Sequence, residues 1–375
     1  MSYSINHIGK KIVFDTSLIR NDYLRESADE ALRKLFGFFL SSESEEVYLT
    51  FAFTDHLMDF FKADEQTIMS ETARVNATQA FMTGHGEGFG YEFENGRLQK
   101  VYFQLNAPTH IENNKRKALS RDFLSAVQQQ INSFYTRGYL VGIQQANTTD
   151  GHSFLHACSF AIGGKGYVVA ATPGAGKSSL LLSLRFAGSL DFDFISDDFS
   201  SIDSKGCAHQ IGRAMAVKSH QLQYFPQLAE VVANMSKMQR LQWFFLKQKG
   251  LKYMASPQEL FGNRIATNIP VHKVFYLTNH GKNTFEHESM SIDEFARLNA
   301  NMLFSELYLG MEIFNHALIL PNHPDMNTVS QFIEKSRENI KQSLKGVECT
   351  LVKVPFRSDP RNLLKYLLEQ RLVEN

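Results

Sequence analysis

The sequence carries no surplus of either charge: 39 Lys and Arg stand against 39 Asp and Glu in 375 residues. A surface built to neutralise nucleic-acid phosphates or anionic lipid carries a basic excess, so neither nucleic acid nor a membrane is an expected partner. Cysteine is scarce. Cys158, Cys207 and Cys349 are odd in number, far apart and form no CxxC pair, which excludes a disulfide framework and points to a reducing, cytoplasmic setting. No apolar run approaches the ~20 residues that span a bilayer. The greasiest stretch, around Trp243-Phe244-Phe245-Leu246, is short and flanked by Gln and Lys. Met1 to His7 show no basic segment followed by an apolar one, so no secretory signal is expected. There is no internal repeat, and no low-complexity tract beyond Gln128 to Gln130.

What remains is ordinary globular composition, long enough for two domains. We place the division at 137/138, with an α+β domain over 1–137 and an α/β domain over 138–375. In the first part, Val47–Phe53 is β-branched and aromatic, hence a strand. Gly84–Gly90 is expected to be a glycine-rich turn between antiparallel strands rather than a phosphate loop, since no helical pattern follows it. Asn95-Gly96 is a hairpin turn ahead of a strand over Leu98–Leu105. Ser120 is expected to cap a helix that shows Phe123, Val127, Ile131 and Phe134 on one face and stops at Gly138.

After Gly138 the pattern changes. Phe154–Ile162 reads as one strand, Gly163 to Gly166 as a tight turn, and Tyr167–Ala171 as a second apolar strand. A glycine loop follows, then a helix over Ser179–Phe186 closed by Gly188, and a third strand, Phe192–Ser196, that ends in Asp197-Asp198. Strand, loop, helix, strand is the grammar of a mononucleotide-binding fold. Val271–Thr278 and Cys349–Val354 are further core strands. Ser291 and Glu294 form a capping box, and Asp359-Pro360 caps a last helix with Leu363, Leu364, Leu367 and Leu368 facing inward.

The chemistry lies in that loop. Ala171, Thr172, Pro173, Gly174, Ala175, Gly176, Lys177, Ser178 match the P-loop pattern, with Ala171 where the first glycine is usual. Gly174 and Gly176 let successive N–H groups converge on phosphates. Those donors, with Ser179 next in line, sit at a helix N-terminus, where unpaired N–H groups and the helix dipole favour anions. Lys177 supplies an ammonium for the β- and γ-phosphates, and the Ser178 hydroxyl is the expected magnesium ligand. Asp197 and Asp198 end the next strand, where a P-loop fold keeps its metal or water-positioning carboxylate. ATP and Mg²⁺ are the cofactors this implies.

From Gly151 to Lys218 the chain resembles the HPr kinase/phosphorylase family and the related kinases of bacterial gene clusters, a fold shared with phosphoenolpyruvate carboxykinases. The most specific element is the β-hairpin ahead of the P-loop, with His156 placed 21 positions before Lys177. The resemblance implies Asp198 as proton acceptor for a substrate hydroxyl, Asp197 as its metal-linked neighbour and His156 close to the phosphates. Arg213 and Lys218 resemble the Arg-x-x-x-x-Lys stretch of the kinase-like relatives, and Arg264 is similar to a nucleotide-site arginine of the carboxykinase branch. The family's glutamate metal ligand has no counterpart, the nearest position reading His209-Gln210, and residues 1–150 do not resemble the regulatory domain of the bifunctional enzyme.

Two functions follow, from different classes. The first is a kinase that moves the ATP γ-phosphate to a hydroxyl of a peptide, protein or small molecule. The second is an NTP-binding switch or ATPase module without an acceptor. An accessible Asp198 favours the first, and a buried one the second. A decarboxylating carboxykinase needs a further metal site, for which His209, His220 and His272 show no spacing. Tyr135, Tyr139 and the Tyr224–Trp243 stretch are the aromatic candidates to cover a base. A homo-oligomer is left open.

Overall fold

The structure, a computed structural model, describes residues 2–36, 45–84, 87–108, 125–188, 190–233, 235, 240 and 252–374. Ser120, Phe123 and Trp243 to Leu246 lie outside the described residues. The chain is a mixed α/β protein of two units, Met1–Gly151 with Leu303–Lys335 and His152–Met302 with Ser336–Asn375. The division therefore falls at Gly151/His152 and not at the expected 137/138. In the structure the helical stretch after Gly138 stays with the first unit, and 303–335 returns to it.

The first unit holds an eight-stranded sheet in the order β1-β2-β3-β8-β7-β6-β5-β4. Its strands are β1 (Ser2–His7), β2 (Lys10–Asp15), β3 (Val47–Thr54), β4 (Ile68–Met69), β5 (Ala73–Val75), β6 (Gln79–Gly84), β7 (Glu87–Glu94) and β8 (Arg97–Gln104). Alternation along the strands gathers rings on one face. Helix α1 (Asp22–Phe36) buries Leu24, Ala28, Leu32, Leu35 and Phe36 at helical spacing, and Phe36 meets Phe14 at 4.6 Å between ring centroids. Phe134, at the end of α2 (Ala126–Phe134), meets Phe51 at 5.2 Å and Phe53 at 4.8 Å, both edge-on, a favoured aromatic geometry. Tyr135 and Tyr139 are 1% and 0% exposed inside this cluster, so they serve the core of the first unit and cover no base.

Three expectations here need correction. The cap of α2 is Ser125, whose Oγ accepts from the Gln128 N–H while the Gln128 side chain returns to the Ser125 N–H. Gly138 does not stop the helix. A π-turn over Tyr135–Tyr139 carries the chain on into α3 (Leu140–Thr149). The glycine is there for space, since a Cβ would meet Phe134 at 2.8 Å and Phe89 at 3.1 Å. The strands on either side of Gly84–Gly90 are antiparallel as expected, Gly84 of β6 pairing with Glu87 of β7, but Gly88 and Gly90 already lie within β7, and a Cβ at Gly90 would strike the Phe81 ring at 2.8 Å. A turn and a strand that must admit a facing ring look alike in sequence.

In the second unit β9 (Ser153–Leu155), β10 (Ala157–Ile162), β11 (Lys165–Ala171), β12 (Phe192–Ser196), β13 (Ser200–Ile202), β14 (Cys207–His209), β17 (Ile269–His280), β18 (Glu286–Met290) and β19 (Glu348–Pro355) form one sheet, and β15 (Met215–Lys218) with β16 (Lys252–Ala255) a small second one. The expected strand over Phe154–Ile162 is two strands, broken at His156. β11, β17 and β19 are parallel neighbours, and β10 runs antiparallel between β11 and β12. The ends of β11, β12, β17 and β19 therefore share one edge of the sheet, together with the start of β10.

Both faces of this sheet are covered, which explains the near-continuous apolar runs of β10 and β11. Cys158, Phe160, Val169, Phe275, Leu277 and Val352 pack with Leu180, Leu181 and Leu184 of α4 (Lys177–Phe186) and with Leu363, Leu364 and Leu367 of the last helix. On the other face Val168, Ala170, Val274 and Tyr276 meet Phe295 and Ala296 from α5 (Ile292–Leu318) and Ile340 and Leu344 from the end of α6 (Val329–Ser343) and just beyond. The last helix is α7 (Arg361–Glu369), whose first N–H, on Arg361, donates to Asp359 Oδ1 at 2.9 Å. No helix among the described residues is long and apolar enough to cross a membrane.

Candidate functional site

Buried β11 ends at Ala171, and the chain turns at once into the glycine loop. The Thr172 N–H still reaches Leu277 O of β17 at 3.1 Å, and the Ala175 N–H closes back on Thr172 O at 3.1 Å. Pro173 and Gly174 stand exposed between them. Gly174 has φ +82° and Gly176 φ +110°, angles that disfavour any side chain. A Cβ at Gly174 would meet nothing within 4 Å, so the dihedral alone requires glycine there, leaving open space above the backbone. Helix α4 then starts at Lys177 with no side-chain cap. The first N–H groups of a helix have no partner within it, and here they come after a loop that bends around the same point.

Lys177 is 9% exposed, and its ammonium donates to Ala171 O at 3.3 Å. Ser178 Oγ donates to Asp197 at 3.0 Å (Oδ1) and 3.3 Å (Oδ2). A hydroxyl and a carboxylate side by side form a hard oxygen pair of the kind Mg²⁺ takes. Burial, and then the neighbouring Asp198 charge, push the Asp197 carboxyl up to about 7, against the Ser178 hydrogen bond and the Lys177 charge that favour ionisation.

Asp198 is different in kind. It has φ +62°, a left-handed angle that aspartate takes more readily than most residues with a side chain, and its side chain is 43% exposed, with Arg213 Nη1 at 3.5 Å from Oδ2. The turn thus sends adjacent aspartates to separate places, one to the α4 hydroxyl and one to solvent and an arginine. His156, at the break between β9 and β10, lies with its ring 5.0 Å from the Phe199 ring. Burial, and next the Lys177 charge, hold this histidine down at about 4, with Asp198 opposing. It is therefore a neutral imidazole at pH 7.

The structure thus brings His156, Lys177, Ser178, Asp197, Asp198 and Arg213 to one edge of the sheet. Arg264 does not join them. Lys218 closes β15, and its side chain is exposed. Its N–H donates to Gln221 Oε1 at 2.7 Å. Arg264 donates through Nη1 to Leu190 O at 3.1 Å and interacts with the Asp193 carboxylate, at the start of β12. Five extended residues separate Phe192 from Asp197, on the order of 16 Å, so Arg264 belongs to the far edge. The residues at the missing glutamate are also engaged elsewhere: His209 Nε2 pairs with Asp203 Oδ2 at 3.0 Å, and Gln210 Nε2 donates to Ala266 O at 3.2 Å. Among the described residues no three His, Cys, Asp or Glu side chains cluster to hold a metal.

No family model matches the chain, and no curated protein matches it. Solved structures do. One is an HPr(Ser) kinase/phosphatase from Coxiella burnetii, 13% identical, with 59% of this chain and 97% of that one covered and a TM-score of 0.27. At that TM-score the similarity is too distant to bear on the site.

Sequence reasoning missed two neighbours of the site. Phe199 lies against His156, and no pattern announces it. Cys158 lies under the loop, its Sγ 3.9 Å from Lys177 O, with burial pushing the thiol well above its ordinary range, so it is an inert packing group. Its alternation with Phe160 and Ile162 in β10 was a readable signal.

Proposed function

We propose that this chain is an ATP- and Mg²⁺-dependent phosphotransferase acting on a hydroxyl acceptor. The observation that carries the reading is the Ser178–Asp197 hydrogen bond. It joins the first turn of the loop-fed helix to the end of β12, the pairing a P-loop site uses to hold its metal. ATP·Mg²⁺ would supply the transferable γ-phosphoryl group. The residues of the chain do the rest. The loop N–H groups and the α4 N-terminus bind phosphate oxygens. Lys177 exchanges its Ala171 carbonyl for them. Ser178 and Asp197 hold the ion. Asp198 accepts the acceptor proton as the new oxygen–phosphorus bond forms and the bond to the ADP leaving group breaks. Arg213 faces charge that develops beside Asp198, while neutral His156 offers a hydrogen bond without adding charge.

The 43% exposure of the Asp198 side chain favours this reading over a nucleotide switch without acceptor, in which that carboxylate has no reason to face solvent. The test is transfer from γ-labelled ATP in lysate of the source organism, beside Lys177→Ala and Asp198→Asn. Label should move to a discrete acceptor, with both variants inactive and Asp198→Asn still binding ATP. Label passing only to water, equally in wild type and Asp198→Asn, would remove the proton-acceptor role and leave the switch.

A further inference from the structure

Among the described residues, two with side chains hold left-handed angles on the edge of the sheet where the loop lies. One is Asp198. The other is Arg357, with φ +62°, on the opposite side of the loop. Sheet order β12-β10-β11-β17, with β19 beyond β17, puts Asp197 and Asp198 to one side of β11 and the end of β19 to the other. A nucleotide whose γ-phosphate lies toward Asp198 must run the other way across the α4 N-terminus, toward β17 and β19.

There the chain makes a tight turn. The Phe356 N–H donates to His280 O at 3.0 Å, and the Ser358 N–H closes on Pro355 O at 3.1 Å. Phe356 and Arg357 are its central residues, and Arg357 takes the position at which a left-handed angle normally calls for glycine or asparagine. Strain of this kind persists where the surroundings enforce it, and it clusters at ligand clamps. What it achieves here is visible: the Arg357 guanidinium lies 5.2 Å from the centroid of the Phe356 ring, while Phe356 remains 64% exposed. One face of a large ring is backed by a cation and the rest is offered to solvent.

The distances suit a nucleoside. Ala171, Leu277 and Val352 are in register across β11, β17 and β19, two strand spacings or about 10 Å, and Phe356 lies four residues or about 13 Å further along. The turn also borders the loop through its continuation, since Leu363 Cδ2 is 3.9 Å from where a Cβ on Gly176 would stand.

We propose that Phe356 and Arg357 form the nucleobase platform of this site, taking the base of a nucleoside triphosphate by stacking. The proposal rests on the phosphate-loop reading above. Stacking on an aromatic ring tolerates any base because every base has a π-face, so adenine and guanine nucleotides should bind with similar affinity.

The experiment is calorimetric titration of the full chain, wild type and Phe356→Ala, with Mg²⁺ and either ATP, GTP or inorganic tripolyphosphate. Phe356→Ala should weaken ATP and GTP about tenfold, the effect of one lost base stack, and leave tripolyphosphate unchanged. Phe356→Trp should retain affinity, with indole emission changed by ATP and not by tripolyphosphate. If Phe356→Ala binds all three as wild type does, or weakens all three alike, the platform is wrong while the loop stands. If wild type binds none of them, the phosphate loop fails and the platform with it.

Discussion

Ser178 Oγ and the Asp197 carboxylate are hydrogen-bonded at 3.0 Å although they lie on different elements, and the proposed function makes this pair the holder of a cation. Ser178→Ala removes one of the two oxygen donors. Mg²⁺-dependent ATP binding should fall tenfold or more, a typical cost for disturbing a metal's ligand set. ATP binding in EDTA should stay near the wild-type value. Titration of the variant with and without Mg²⁺ checks this, and an equal loss in both conditions would take Ser178 off the metal.

The same aspartate predicts a pH dependence. Its folded carboxyl sits at about 7, and only the ionised form holds a cation. Mg²⁺·ATP affinity should rise between pH 6 and pH 8, with proton release that appears as a buffer-dependent binding enthalpy. Asp197→Asn should abolish both the rise and the proton release.

Stability without ligand should move the other way. A folded pKa raised above the unfolded one means that the folded state binds more protons between the ordinary aspartate value of 3.8 and about 7, so stability falls as pH rises through that window. Asp197→Asn should therefore melt at a higher temperature than wild type. The difference should open between pH 4 and pH 7 and stay constant above it. No gain in melting temperature at pH 8 would mean that Asp197 is not held against its charge.

His156 should remain neutral down to about pH 4. In an NMR titration Lys177→Ala should move its midpoint upward, because a repelling charge is lost. Asp198→Asn should move it downward, because an attracting charge is lost. Shifts in the opposite directions, or none, would separate His156 from both groups.

Two glycines separate dihedral freedom from space. Gly174→Ala meets no atom but must hold φ +82°, whereas Gly138→Ala drives a methyl to 2.8 Å from the Phe134 ring. Gly138→Ala should cost about 1–3 kcal/mol in denaturant unfolding, the range for overpacking a core. Gly174→Ala should cost about 1 kcal/mol yet abolish tripolyphosphate binding.

The second unit was more legible than the first, for a physical reason. Phe192–Ser196 was placed residue for residue, because a strand buried on both faces is a short apolar run bounded by breakers. The glycine loop and the helix behind it were legible because dihedral and capping chemistry is local. The place of Arg264 was not, since the edge of a sheet to which a side chain belongs is a property of topology. Gly138 misled because glycine ends a helix and admits a neighbouring ring with equal ease. The return of Leu303–Lys335 to the first unit had no signal, since α5 runs through Met302 without a break.

The engagement of His209 by Asp203 and of Gln210 by the Ala266 carbonyl has a consequence for how the proposed site would be charged. With those two side chains tied down, the proposed site would offer an ion, among the described residues, the Ser178 hydroxyl and the Asp197 carboxylate. The remainder of an octahedral shell must come from water and from the phosphates themselves. Such an ion would travel with its nucleotide, entering and leaving as a complex, and the resting protein would keep no metal for a chelator to strip.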